Sequence, residues 1–131
     1  MAIPTYEEIM LPLLTLAQES GSAITIRKSI PIISNNLKLS KDETEQMLNS
    51  GKQTVIYNRT FWSAFYLMKA GLLNRVSPGV YQLSDTGKSL LNENPQQINK
   101  ELLKQYDSFN EFLKTSKTKK LTKVKQAKHA E

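Results

Sequence analysis

The fold is decided by residues 54–83, which read TVIYNRTFWSAFYLMKAGLLNRVSPGVYQL. Apolar residues recur at helical spacing from about Thr54 to Ala70, and Gly71 stands where a left-handed residue commonly ends a helix. Two short β-prone runs follow, residues 72–76 and 80–83, with a Ser-Pro-Gly turn between them. The stretch therefore predicts one long helix followed directly by a β-hairpin.

One face of the long helix is suited to a protein core. This face comprises Val55, Arg59, Trp62, Ser63, Tyr66, Leu67 and Ala70. We expect Trp62 and Tyr66 to pack in the core rather than to stack on nucleic-acid bases, because both lie on this face. The opposite face is polar at its N-terminal end and apolar at its C-terminal end.

Shorter elements are predicted on both sides of the long helix. Before it, the ranges are 6–20 for a helix, 23–26 for a bridging strand, 27–37 for a second helix and about 41–48 for a short helix opened by a capping box of Ser40 and Glu43. After the hairpin, Ser84 caps a helix over residues 85–92, and a single last helix is predicted after Pro95. Its apolar residues form a seam of nearly heptad spacing with no partner left in the predicted domain: Ile98, Leu102, Tyr106, Phe109 and Leu113.

The net charge of +6 is confined to the C-terminus. Residues 1–113 contain eleven cationic and eleven acidic side chains, whereas residues 114–131 contain seven lysines and one glutamate. The lysine-rich segment has too few apolar residues to form a core, so we expect a mobile basic tail. Such a tail is either a solubilising terminus or an arm that neutralises phosphates or acidic lipid headgroups. The chain thus divides into a domain over 1–95, a C-terminal helix over 96–113 with a possible role in dimerisation, and a tail over 114–131.

The composition excludes several classes of protein. With 131 residues the chain can form one core, and with no cysteine and one histidine, His129, it cannot hold a disulfide framework, an iron–sulfur cluster or a cysteine- or imidazole-ligated metal. No apolar stretch reaches the length of a membrane-spanning helix, and no secretory signal is recognisable. We therefore expect a cytoplasmic, nucleoid-associated protein with no metal, no cofactor and no membrane contact.

The predicted order of elements is that of a winged helix: helix, bridging strand, two helices, long helix and hairpin. The fold class is therefore mainly α with a small β-hairpin, a winged helix-turn-helix plus a C-terminal helix. In such folds the long helix enters the major groove of DNA, and the hairpin reaches the flanking backbone or minor groove. Residues 51–88 contain five basic side chains and one acid, so we expect one face to attract phosphates.

Several blocks of the sequence also resemble a known family. The blocks are residues 3–14 (IPTYEEIMLPLL), 50–59 (SGKQTVIYNR) followed by Trp62, 69–72 (KAGL) and 79–87 (GVYQLSDTG). Over about residues 3–95 the chain is similar, in register, to the N-terminal domain of Mrr-type restriction endonucleases. The resemblance implies a winged-helix DNA-recognition module, which in that family precedes a separate nuclease domain of the PD-(D/E)xK type.

The residues of such a nuclease are missing from this sequence. That chemistry requires a metal-binding acid on one strand and an acid or glutamine two residues before a lysine on the next. No lysine follows an acid at that spacing, and Gln126-Ala-Lys128, which matches the glutamine variant, lies in the lysine run without a preceding aspartate strand. Because the histidine stands two residues from the C-terminus and no phosphate-binding glycine loop is present, we predict no catalytic residues.

Candidate DNA contacts come from the start of the long helix, the wing and the tail. The first exposed turns of the helix supply amides and hydroxyls for base edges and a lysine for a phosphate. The alternative is that Thr54 merely caps the helix and Asn58 is solvated, but given the fold we favour contacts with DNA. Arg59 could equally form an ion pair with Glu7 or Glu8. The full set is Lys52, Gln53, Thr54, Tyr57, Asn58, Arg59, Arg75, Ser77, Lys117, Lys119, Lys120 and Lys123.

The apolar outer residues of the long helix need a partner. Either the seam of the last helix folds back to cover them, or the two surfaces meet across a homodimer. We favour the homodimer, because a two-fold pair would present two helices to successive half-sites of DNA. The predicted interface comprises Phe61, Phe65, Met68, Leu102, Tyr106 and Phe109.

The sequence thus predicts a non-enzymatic protein that binds double-stranded DNA through the long helix (about 54–70), the wing (72–84) and the lysine-rich tail. The alternative is a protein-interaction adaptor or a specificity module for a separate nuclease or methylase partner. A third interpretation is a shortened endonuclease without its cutting domain.

Overall fold

The computed structural model describes the backbone of residues 3–122 and the side chains of residues 3–115. Within this range the fold consists of seven α-helices and a three-stranded antiparallel sheet. In chain order the elements are α1 (Tyr6–Ser20), β1 (Ile24–Thr25), α2 (Ile26–Asn36), α3 (Lys41–Glu45), α4 (Val55–Lys69), β2 (Leu73–Ser77), β3 (Val80–Leu83), α5 (Asp85–Asn92), α6 (Lys100–Leu103) and α7 (Asp107–Thr122).

The sheet has the order β1-β3-β2, with the second strand of the hairpin in the centre. Ile24 of β1 is paired with Tyr81 of β3, and on the other side of β3 Arg75 of β2 is paired with the same tyrosine. The register between β2 and β3 shifts between Arg75 and Ser77, which twists the end of the hairpin. This arrangement confirms the predicted fold class, a winged helix followed by C-terminal helices.

Local sequence signals set the limits of the helices. Thr5 and Glu8 form a capping box at the start of α1, and Gly21 ends it at φ +68°, a left-handed conformation that glycine adopts without strain. Ser84 caps α5 through a hydrogen bond from the Gly87 amide. The core between α1, α2, α4 and the sheet is built from aliphatic side chains, each worth roughly 1.5–3 kcal/mol when fully buried. Its fully buried members include Ile9, Met10, Leu13, Leu14, Ile33, Ile56, Leu67, Leu72 and Leu73.

The buried face of α4 differs from the predicted one. Trp62 and Tyr66 are half-buried at its margin, whereas Ile56, Thr60 and Ala64 are fully buried. Tyr66 packs against the core cluster from this margin, whereas the prediction of a core position for Trp62 was wrong. Small side chains on the buried face allow α4 to pack closely on α1, and the bulky rings are displaced to the edge. Val55, Ser63, Leu67 and Ala70 are buried as predicted.

The single last helix that the sequence predicted is interrupted. Asn99 caps the short helix α6 through a 3.0 Å hydrogen bond from the Leu102 amide, and α7 begins only at Asp107. At the break, the Asn110 side chain donates to the carbonyl of Lys104 at 2.7 Å and thereby satisfies a helix-end acceptor. Helix α7 then continues to Thr122, beyond the predicted helix boundary at residue 113.

The residues after 95 pack on their own domain. Ile98, Leu103 and Phe109 are fully buried and belong to the same core cluster as α1 and α4. The backbone amide of Lys100 donates to the Glu7 carboxylate at 3.0 Å and so fixes α6 to the first turn of α1. The expectation that the last apolar seam lacks a partner within the domain was therefore wrong.

Candidate nucleic-acid interface

A tight loop precedes α4 and presents a lysine at its tip. Helix α3 ends at Glu45 rather than near Leu48, because the chain turns back on itself. The amide of Leu48 donates to the carbonyl of Gln53 at 3.0 Å, and Gly51 occupies the turn at φ +73°. Lys52 is exposed beside this turn, so its ammonium group is available to an anion.

The start of α4 places the predicted polar residues on defined backbone. The hydroxyl of Thr54 accepts a hydrogen bond from the Tyr57 amide at 3.2 Å, so Thr54 caps the helix. Asn58 donates from Nδ2 to Oε1 of Gln53 at 2.8 Å. Gln53 and Asn58 are both half-buried. The side chain of Asn58 is therefore anchored to Gln53 rather than freely solvated.

The start of α2 contributes a cation that the sequence analysis missed. Arg27 is exposed. Together with Lys52 it lines an open cleft that has a volume of about 400 Å³. The other residues that line this cleft are uncharged: Met47, Gln53, Thr54 and Tyr57. The signal was present in the sequence, since Arg27 and Lys28 follow directly after the bridging strand, but its position next to α4 depends on the tertiary fold.

The wing lies against the same surface. The amide of Ile26, at the start of α2, donates to the carbonyl of Gly79 in the wing turn at 3.0 Å. Arg75 and Ser77 of β2 are exposed, and Val76 between them has an exposed fraction of 56%. The start of α2 and the wing are therefore held together by a backbone hydrogen bond.

Tyr81 lies in the central strand of the sheet, between Ile24 of β1 and Arg75 of β2. Burial raises the pKa of its phenol, the positive charge of Arg75 lowers it, and Tyr57 raises it further. Arg75 is also the strand partner of Tyr81 across the hairpin. Tyr57 in turn lines the cleft that Arg27 and Lys52 share.

Arg59 points away from this surface. Its Nη1 donates to the carbonyls of Ile3 and Pro4, at 2.9 and 3.2 Å. These backbone carbonyls take the place of the expected carboxylates of Glu7 and Glu8, which accept hydrogen bonds from the amides of Lys100 and Thr5. The geometry favours a structural role for Arg59, in which it attaches the N-terminal segment to α4.

Helix α7 covers the other end of α4. The rings of Phe65 and Phe112 are in edge-to-face contact with centroids 5.6 Å apart, and Tyr66 contacts Phe109 at 6.1 Å. The ammonium of Lys69 lies 5.3 Å from the ring centroid of Phe65. Because α4 has 15 residues, its two ends are about 20 Å apart, and the ring contacts with α7 involve Phe65 and Tyr66 in its C-terminal half.

The structure favours the first of the two accounts of the apolar outer face, in which the C-terminal segment folds back on it. Phe109 is fully buried within its own chain, so its assignment to a dimer interface was wrong. The other five residues of the predicted interface are half-buried: Phe61, Phe65, Met68, Leu102 and Tyr106.

The predicted tail contacts are only partly described. The backbone of Lys117, Lys119 and Lys120 belongs to α7, so these residues continue a helix. Their side chains, and Lys123 altogether, lie outside the described residues.

Comparison with known proteins agrees with this architecture. A family model described as the Mrr N-terminal domain matches residues 6–93. The chain belongs to the Mrr N-terminal domain family. The matched range extends from the start of α1 to the end of α5 and so contains the whole winged helix of this Mrr N-terminal domain. No curated protein and no solved structure matched the chain.

No nuclease domain is evident within the 131 residues that contain this Mrr N-terminal domain. Over residues 3–122, no helix is both long and apolar enough to cross a lipid bilayer.

Proposed function

We propose that this Mrr N-terminal domain binds double-stranded DNA and that these 131 residues do not cut it. The interface consists of the start of α2, the loop before α4, the first turns of α4 and the wing. In this proposal the N-terminal end of α4 enters the major groove, and the wing contacts the adjacent backbone.

One observation carries this proposal: three exposed or partly exposed segments, far apart in the sequence, bring cations to one surface. Arg27 and Lys52 line one cleft whose other residues are uncharged. Arg75 belongs to the wing, whose turn is hydrogen-bonded to the start of α2 through the Ile26 amide and the Gly79 carbonyl. Since residues 1–113 have no net charge, this local concentration is not a consequence of overall basicity. Cations from α2, the loop before α4 and the wing therefore favour a polyanion such as duplex DNA.

Two further features fit a duplex. The N-terminus of α4 carries the positive end of the helix dipole, which favours a phosphate or an electron-rich base edge. The lysines at positions 114–131 add an attraction to phosphates that does not depend on the DNA sequence. Because this attraction releases counterions from the DNA, it weakens as the salt concentration rises. Base reading would then come from the half-buried amides at the start of α4.

A double substitution tests the proposal. Lys52→Ala combined with Asn58→Ala removes one phosphate contact and one base contact, so we expect affinity for duplex DNA to fall by at least about tenfold. Fluorescence anisotropy with a labelled duplex measures it. Lys41→Ala combined with Gln18→Ala changes exposed residues on other helices and serves as the matched control, with an expected change below about twofold. Equal affinities for the two double variants would contradict the proposal.

A second candidate function is docking of a separate nuclease or methylase subunit. It is favoured by an open groove of about 600 Å³ between α4 and α7, lined in part by Phe65, Met68 and Phe112. Under this alternative, the double substitution at Lys52 and Asn58 leaves partner binding unchanged, whereas Phe65→Asp abolishes it. The homodimer stays a prediction, and light scattering of the purified protein tests it.

A further inference from the structure

We propose that Gln53 and Asn58 act as one unit that reads an adenine base in the major groove. This inference rests on the proposed DNA binding and adds a base preference to it. It starts from a single contact, the 2.8 Å hydrogen bond from Nδ2 of Asn58 to Oε1 of Gln53.

The backbone on both sides of this contact is fixed. Gln53 ends the loop before α4, and its carbonyl accepts from the Leu48 amide at 3.0 Å. Asn58 lies in the first turn of α4, where its amide donates to the Thr54 carbonyl at 3.1 Å. The mutual hydrogen bond then restricts the two side chains before any DNA arrives. Because such ordering is a substantial cost of binding polar ligands, the pair is preorganised for recognition.

The pair presents a defined chemical edge. Within the described residues, the side-chain amides of Gln53 and Asn58 form a hydrogen bond with each other and with no other group. The NH₂ group of Gln53 and the side-chain carbonyl of Asn58 can therefore still donate to and accept from a base. Exchanging oxygen and nitrogen in both amides reverses the direction of the bond, but it again leaves one NH₂ group and one carbonyl. The pair therefore offers a donor next to an acceptor in either orientation.

Adenine is the base that matches this edge. In the major groove it presents N7 as an acceptor and the N6 amino group as a donor, whereas guanine presents two acceptors. Cytosine presents a donor and thymine an acceptor beside a methyl group, so each satisfies only half of the pair. An unsatisfied amide at a dry interface is costly, and the mismatch therefore penalises the other bases.

Selection from a pool of random duplex DNA tests this inference. We expect the wild-type protein to enrich sites with adenine at one fixed position. On the enriched site, replacing that adenine by purine, which lacks the amino group, or by 7-deazaadenine, which lacks the N7 acceptor, should weaken binding by roughly 5- to 100-fold.

The test variant is Gln53→Glu, which keeps an oxygen for the Asn58 hydrogen bond and replaces the free NH₂ group by a second acceptor. We expect it to lose the adenine preference at that position and to gain a preference for cytosine, whose amino group satisfies acceptors. Gln18→Glu introduces the same change on an exposed part of α1 and should leave the selected site unchanged. Thermal melting of each variant verifies that it is folded.

The outcomes separate the two proposals. Enrichment of sites without a fixed adenine, or an adenine preference that persists in Gln53→Glu, would overturn the adenine inference and leave DNA binding intact. If the wild-type protein enriches no duplex at any salt concentration, the proposed function is wrong and the adenine inference fails with it.

Discussion

Gly87 occupies a position where a side chain has no space. A Cβ atom there would overlap the backbone carbonyl of Leu72 and lie 2.6 Å from Cδ1 of Leu83. The Leu72 carbonyl is held in place because it accepts a hydrogen bond from the Ser84 amide at 3.1 Å. The missing side chain therefore allows α5 to pack directly on the chain between α4 and β2.

We therefore expect Gly87→Ala to destabilise the protein, although alanine normally stabilises a helix relative to glycine. On helix propensity alone, Gly87→Ala would stabilise α5 by about 0.5–1 kcal/mol. We expect the free energy of unfolding to fall instead by about 1–3 kcal/mol, because the methyl group forces the backbone apart. Urea denaturation measures it, with Ser89→Ala at an exposed position of α5 as the control. A stabilised Gly87→Ala variant would show that the packing described here is incorrect.

Arg59 and Arg75 should respond differently to the same substitution. Arg59→Met removes the hydrogen-bond donor of the Ile3 and Pro4 carbonyls, so we expect the free energy of unfolding to fall by about 1–3 kcal/mol. We expect its affinity for duplex DNA to change by less than about twofold. Arg75→Met removes an exposed charge, so we expect stability to stay within about 0.5 kcal/mol while affinity for duplex DNA decreases. Denaturation and anisotropy titrations on both variants measure these changes. An affinity loss for Arg59→Met at unchanged stability would instead assign Arg59 to a phosphate contact.

At the scale of elements, local signals accounted for much of the fold. The caps at Ser40 and Ser84 are formed by residues three positions apart, and the wing turn depends on adjacent residues, so their positions could be predicted from sequence. The start of α4 was likewise predictable, because Thr54 caps it through the Tyr57 amide. These features depend on neighbours in sequence rather than on tertiary packing.

Other elements depend on contacts that the sequence does not display. The burial of Trp62 was overestimated because its ring is hydrophobic, whereas the structure buries the smaller side chains of Thr60 and Ala64 completely. The break before α7 was missed because the apolar spacing continues through it. Arg27 was overlooked because only the fold places the start of α2 beside α4.

Helix α7 provides a test at this scale. Phe109 is fully buried against α4, so Phe109→Ala should lower the free energy of unfolding by about 3–5 kcal/mol. Phe112→Ala, at a half-buried position one turn further, should cost less. Because Phe109 packs within one chain, the loss measured by urea denaturation should be the same at low and high protein concentrations. A cost below about 1 kcal/mol for Phe109→Ala would mean that α7 does not cover α4 in solution.

At the scale of the whole molecule, charge is separated along the fold. Residues 1–113, which include the winged helix, have no net charge, but cations gather where α2, the loop before α4 and the wing meet, while residues 114–131 carry the excess of lysine. Helix α7 begins at the opposite end of α4, so the helix that leads towards these lysines leaves the cationic surface open within the described residues. Two sources of electrostatic attraction to DNA are therefore expected, one localised and one sequence-independent.

The salt dependence of duplex binding tests the central claim most directly. Each phosphate contact contributes about 0.9 to the slope of log affinity against log salt, so Arg27→Gln, Lys52→Gln and Arg75→Gln together should reduce its magnitude by nearly 3. A second triple variant, Lys38→Gln, Lys41→Gln and Lys104→Gln, removes the same total charge from other exposed positions. We expect that variant to keep the wild-type slope to within about one unit. Equal slopes for the two triple variants would show that overall charge, and not this surface, attracts the DNA.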